Sequence, residues 1–90
     1  MKIKVTARHI RLGQKRTTQD CALAWAIAEA TAAPCVAVYH SQCRAFVDMG
    51  PDGGELPLPD ECSRFMVAFD RSKRSVRPFS FELALPEVAA

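Results

Sequence analysis

Four cysteines and two histidines carry the most reactive side chains of this chain: Cys21, Cys35, Cys43 and Cys62, with His9 and His40. Thiolates and imidazoles are zinc ligands, and Cys35, His40 and Cys43, completed by Cys62 or Cys21, are the set to weigh. Their spacing argues against a metal, because the short C-x₂-C and H-x₃-H pairs that build structural zinc sites are missing. As a nucleophile and its base the same residues fare no better. No spacing sets a thiol beside either histidine, and no third residue offers itself as the orienter. Cysteine is also commonly buried as a small hydrophobe. "GPDGG" has glycines but lacks the lysine and the following helix of a phosphate loop. With no paired-carboxylate or triad signature either, the expectation is a non-enzyme with no cofactor and no metal. His9 reads as a structural histidine that bonds a loop carbonyl. Asp70 reads as a partner for donors in the 71–77 turn, or for Arg74 or Arg77.

Two basic clusters are the other chemical feature. Arg8, Arg11, Lys15 and Arg16 form one, and Arg71, Lys73, Arg74 and Arg77 the other. They are candidates for phosphate contacts. Helices antiparallel to their flanking strands would set the two clusters at opposite ends, which makes one continuous phosphate track doubtful. The RNP-type run of an RNA-binding sheet is absent. The net charge of +2 is too mild to argue for nucleic acid alone.

Ninety residues make one domain, 1–90, with room for one sheet and two helices. Apolar residues are 49% and charged residues 24%, an ordinary globular composition that excludes a disordered chain. The N-terminus lacks the apolar core of a signal peptide, and no run approaches the roughly 18 apolar residues of a membrane span. A cytoplasmic chain with reduced thiols and no membrane partner is expected.

The elements that must position these residues follow from periodicity. "KIKVTARHI" alternates, with Ile3, Val5 and Ala7 on one side, and predicts a strand. "RLGQKRTTQD" reads as a basic loop. Thr17 and Asp20 have capping-box spacing, either Thr17 or Thr18 can cap the next element, and a helix over about Gln19 to Ala32 ends before Pro34. Val36 and Val38, then Ala45 and Val47, alternate on either side of "HSQ", which predicts a hairpin. A third arm near Glu55 to Leu58 follows the turn. Pro59 suits a first helical position. Asp60 and Glu61 then lie in the first turn, and Cys62, Phe65, Met66 and Phe69 form one apolar stripe. "PFSFELAL" is a strand with Phe79, Phe81, Leu83 and Leu85 on one side. The order β-α-β-β-(β)-α-β predicts an α+β fold, with two helices on one face of a mainly antiparallel sheet. The ferredoxin-like arrangement is the nearest named topology.

"HIRLG", "CALAWAIAEA" and "FMVAFDRSKRSVRPFSFEL" together resemble a group of small phage and prophage proteins. In those chains a His-Ile-x-x-Gly element precedes a Cys-Pro-aliphatic-Ala-x-Ala helix, and a Phe-Asp pair and a Pro-Phe-x-Phe strand close the chain. His9, Ile10 and Gly13 match the first element. Cys21, Leu23, Ala24 and Ala26 match the second, with Ala22 in place of the proline. Phe69, Asp70, Pro78, Phe79 and Phe81 match the last. The resemblance implies a phage or prophage origin, hence a host bacterial cytoplasm, and brings no activity with it.

The first helix raises the question of function. On a helical wheel Leu23, Ala26, Ile27 and Ala30 share the face that should pack on the sheet. Cys21, Trp25, Ala28 and Ala32 fall opposite, where a two-layer domain has nothing to cover them. An uncovered tryptophan marks an interaction surface unless the 50–58 loop lies over it. Three functions follow. The first is an accessory protein that binds another protein through the Trp25 face, a host or defence factor in the manner of an anti-CRISPR inhibitor. The second is a small nucleic-acid-binding protein using the basic loops. The third is a homodimeric structural or regulatory module.

Overall fold

Residues 1–48 and 54–84 are described by the computed structural model. In chain order they form β1 (Lys2–Val5), α1 (Ala7–Leu12), α2 (Ala22–Thr31), β2 (Val36–Tyr39), β3 (Arg44–Val47), β4 (Gly54–Pro57), α3 (Asp60–Arg71) and β5 (Phe79–Glu82). The fold is α+β and its strand pairs are antiparallel, as the pattern predicts. It differs in that the strands divide into two sheets, β1-β5 and β2-β3-β4. Among the described residues β1 pairs with β5 alone, so no strand pairing there joins the two halves as a ferredoxin-like sheet would require.

The first strand is shorter than its alternation suggests. It stops at Val5, and Thr6 caps α1. The Thr6 hydroxyl accepts from the backbone N–H of His9, and the His9 ring accepts from the backbone N–H of Thr6. This is the reciprocal capping box, with histidine three residues on instead of Glu or Gln. Two of the four orphan N–H groups at this terminus are thereby satisfied, and Ala7 turns outward instead of joining the buried side.

β1 and β5 bring the chain's two ends together. Lys2 faces Glu82 and Val5 faces Phe79 in the register, and Met1 and Leu83 exchange backbone bonds one step beyond. Ile3, Val5, Phe81 and Leu83 point to the core. Leu85 lies outside the described residues. The predicted hairpin is present. A 3-10 turn at His40–Gln42 joins β2 to β3, and Cys43 follows in the left-handed region with φ 50°. β4 closes the second sheet with Pro57 opposite Arg44. The Leu58 N–H to Cys43 carbonyl bond fixes which residues of β4 point toward β3, and it leaves Pro57 facing the outer edge. There its missing donor costs no ladder bond and blunts the edge.

α2 is shorter than expected, and Cys21, not Thr17, is its N-cap. Thr17 instead donates its hydroxyl to the Gln14 carbonyl. Ala22, Leu23, Ala24, Ala26 and Ile27 are all buried, an arc of roughly 200° at 100° per residue. The cause is that α2 packs on β1 as well as on β2 and β3. Alanine is the best helix former and the smallest side chain that keeps one, so it suits a helix held between two sheets. α3 carries the expected stripe: Cys62, Phe65, Met66 and Phe69 are buried. Phe65 meets Phe79 of β5 at 4.8 Å between ring centroids. Pro59 is the N-cap of α3, one position earlier than predicted.

Gly13 shows how closely α1 and α2 approach. A Cβ there would lie 2.6 Å from the Ala22 nitrogen and 2.9 Å from its Cα. Backbone on both sides cannot yield without moving the start of α2. Gly13→Ala is expected to destabilise the protein by about 1–3 kcal/mol, the usual cost of overpacking, read as a lower denaturant midpoint at unchanged slope.

Candidate functional site

Trp25 is the single tryptophan of the chain and remains 37% exposed. It borders a groove of about 300 Å³ lined by Gln19, Asp20, Ala24, Ala28, Pro34, Cys35 and Val36. Ala28 is half-buried and Ala32 is exposed, so three of the four residues expected on the outward side are there at least in part. Cys21 is not. It is 1% exposed, because as the N-cap it has extended backbone, φ −73° and ψ 167°, to which a helical wheel does not apply. Ala30, expected on the sheet, is exposed, since the last turn of α2 carries Glu29 and Ala30 out into solvent. Of the 50–58 loop expected to cover Trp25, residues 50–53 lie outside the described residues, and Gly54–Pro57 form β4, on the opposite edge of the sheet from β2.

His9 is buried and fully satisfied, though not by a loop carbonyl. The Thr6 N–H donates to Nδ1 at 3.0 Å, so the proton sits on Nε2 and is donated to Glu29 Oε2 at 2.8 Å. Thr6 Oγ1 also lies 3.1 Å from Nδ1. Hydroxyl, imidazole and carboxylate therefore stand in line, the order of a nucleophilic relay. The lone pair that a general base needs is occupied by a backbone amide, so the line is a helix cap tied to α2. The Arg8 guanidinium binds the other Glu29 oxygen. The hydrogen bond from His9 and then that from Arg8 hold the Glu29 carboxyl below its ordinary value of 4.5.

The two basic loops meet. Lys73 Nζ donates to the Arg11 carbonyl at 3.0 Å, and the Arg16 backbone N–H donates to Asp70 Oδ1 at 2.8 Å. This corrects the expectation that they occupy opposite ends. It also corrects the reading of Asp70, which bonds neither Arg74 nor Arg77 but spans to His40 Nδ1 at 2.8 Å. One carboxylate thus joins the 13–20 segment, the 3-10 turn and the end of α3. Among the described residues, no carboxylate pairs with Arg11, Lys15, Arg16, Arg71 or Arg74, which are all exposed. Arg8 is set apart by its bond to Glu29, and Arg77 is exposed beyond the turn. A cleft of about 310 Å³ opens beside Arg16, Thr17, Thr18, Tyr39 and His40. Sequence reasoning also missed a groove along the outer side of α3, where Val67 is 55% exposed between Arg64 and Arg71. Its i, i+3, i+7 spacing was the available signal.

All four thiols are free. Burial pushes the Cys21 thiol up, and burial, with Cys43 and Glu61 nearby, pushes Cys62 up to about 12. Both are therefore protonated and poor nucleophiles near neutrality. Cys43 Sγ lies 3.5 Å from the Leu58 and Pro59 carbonyls. Among the described residues no three His, Cys, Asp or Glu side chains come together in a set able to hold a metal. No helix among them is long and apolar enough to cross a membrane. Comparison with family models, with characterised proteins and with solved structures finds no match to the chain.

The Glu29 bridge has a signed pH dependence. A carboxyl whose folded value is lowered contributes stability that is present above about 4.5 and is lost as pH falls through the folded value. Acid unfolding of wild type should show that loss below pH 4.5. Glu29→Gln should flatten this part of the profile.

Proposed function

We propose that this chain is a small binding protein whose contact surface is centred on Trp25. One observation carries the reading: the single tryptophan stays partly exposed over a groove, on a helix that is otherwise buried around more than half its circumference. Covering the exposed part of an indole of this size supplies about 2 kcal/mol by area, enough to anchor a contact and too little to make one alone. The partner is another protein, a host or defence factor or a second copy. The biological setting that goes with the resemblance is a phage-encoded accessory protein working in the bacterial cytoplasm, in the manner of an anti-CRISPR inhibitor.

A second reading has its own support. The bonds from Lys73 to Arg11 and from Arg16 to Asp70 draw two basic loops into one patch, which suits a polyanion such as nucleic acid.

Static light scattering and affinity capture from the bacterial host, on wild type and Trp25→Glu, separate these readings. The first predicts that Trp25→Glu loses the partner, or the dimer, while keeping the wild-type circular dichroism. Capture unaffected by Trp25→Glu contradicts it. The second predicts binding of random oligonucleotides that weakens steeply from low to high salt and drops at least tenfold in Arg16→Glu with Arg74→Glu. No binding at low salt removes it.

A further inference from the structure

The three-stranded sheet buries one face and shows the other. Val36, Val38, Ala45, Val47 and Leu56 point into the core. Alternation puts Ala37, Tyr39, Arg44, Phe46 and Glu55 on the opposite face. Phe46, on the middle strand, remains 36% exposed, and Tyr39 is half-buried. Tyr39 stands opposite Arg44, and Phe46 opposite Ala37, so the two aromatic residues are diagonal neighbours. Among the described residues neither ring stacks on another aromatic side chain. Tyr39 also lines the cleft of about 310 Å³ whose other walls include Arg16, Thr18, Ser41 and Gln42. No carboxylate among the described residues lines that cleft. Arg16 has φ 61°, an uncommon conformation outside glycine, and the bond from its N–H to Asp70 pins it. The other Asp70 oxygen is engaged by His40. The Arg16 residue is exposed and belongs both to the cleft and to the basic patch. Of the acidic residues about this face, Glu55 pairs with Arg44 at 3.5 Å, and Asp48 follows β3 at the end away from the cleft.

We propose that this face binds single-stranded nucleic acid. One base enters the cleft against Tyr39, the next stacks on Phe46, and the phosphates run past Arg16 along the basic patch. Diagonal neighbours on a sheet stand about 7–8 Å apart, roughly twice the ~3.4 Å rise between stacked bases. That separation suits a strand whose bases are splayed apart. A duplex hides its base faces in the stack and offers the two rings nothing to meet. The hydroxyls of Thr18 and Ser41 and the Gln42 amide are polar groups of the kind that bond the edge of an unpaired base. The proposal rests on the second reading, the polyanion surface, and is independent of the Trp25 surface.

Fluorescence anisotropy on the full chain at low salt tests it, with labelled oligonucleotides of mixed sequence, about twelve nucleotides long, as single strands and as a blunt duplex. The single strand should bind about tenfold more tightly than the duplex. Tyr39→Leu and Phe46→Leu keep apolar bulk and remove the flat ring. Each should weaken single-strand binding about fivefold or more and leave duplex binding unchanged. Tyr39→Phe and Phe46→Tyr keep a ring and should bind within about twofold of wild type. Tyr39 is the single tyrosine of the chain, so its ring-proton NMR signals are identifiable in wild type without any substitution. They should move upfield under the ring current of a stacked base. Tyr39 signals unmoved at saturation overturn the proposal, whether or not a leucine variant folds. Equal affinity for strand and duplex, or folded leucine variants that bind as wild type does, overturn it while the basic patch stands as a polyanion surface. A nucleoside monophosphate that binds as tightly as the strand gives the cleft to a small molecule and overturns it too. No binding of either oligonucleotide overturns the polyanion reading and the proposal together.

Discussion

Burial of α2 against two sheets is the constraint on which the rest of the molecule depends. β1-β5 and β2-β3-β4 are separate hydrogen-bonded sheets, and α2 packs on both. A helix in that position must be apolar over most of its surface and slim where backbones approach, and "ALAWAIAEAT" meets both needs with alanine. Leu23 and Ile27 supply the bulk, fully enclosed. The side that remains carries Trp25 and Glu29, with Ala28 between them, and the two larger residues have separate uses. Glu29 ties α1 to α2 through His9 and Arg8, while Trp25 borders the groove next to β2.

Long-range polar contacts rest on few carboxylates. Glu29 gathers a ring nitrogen and a guanidinium, and Asp70 gathers a ring nitrogen and a backbone amide from distant parts of the chain. Glu29 thus ties one helix to another, and Asp70 orders segments that have little regular structure to hold them. Asp70 sits at the C-terminal end of α3, where the helix dipole disfavours negative charge. Its partners from the 13–20 segment and the 3-10 turn compensate, and they fix the basic loops side by side.

Much of the architecture was legible in the residues. The stripe of Cys62, Phe65, Met66 and Phe69, the alternation of Phe79, Phe81 and Leu83, and the hairpin around "HSQ" all express periodicities that burial enforces. What escaped depends on contacts between distant segments. The division into two sheets is decided by which strands pair, and alternation within a strand carries no such information. The α1 turn was hidden because His9 takes the place of Glu or Gln in the capping box. Cys21 was misplaced because a wheel was extended past the helix start. The meeting of the basic loops hangs on two hydrogen bonds, from Lys73 to Arg11 and from Arg16 to Asp70, that no local pattern announces.

The functional account stands on one side of α2 being open in the isolated protein. Because Trp25 is the single indole, acrylamide quenching of its fluorescence in a monomeric sample reports that side directly. The account predicts ready quenching, intermediate between a free indole and a buried one, and marked protection when a partner is bound. A blue-shifted emission that acrylamide cannot reach in the lone monomer would contradict it, for the groove would then already be covered by its own chain.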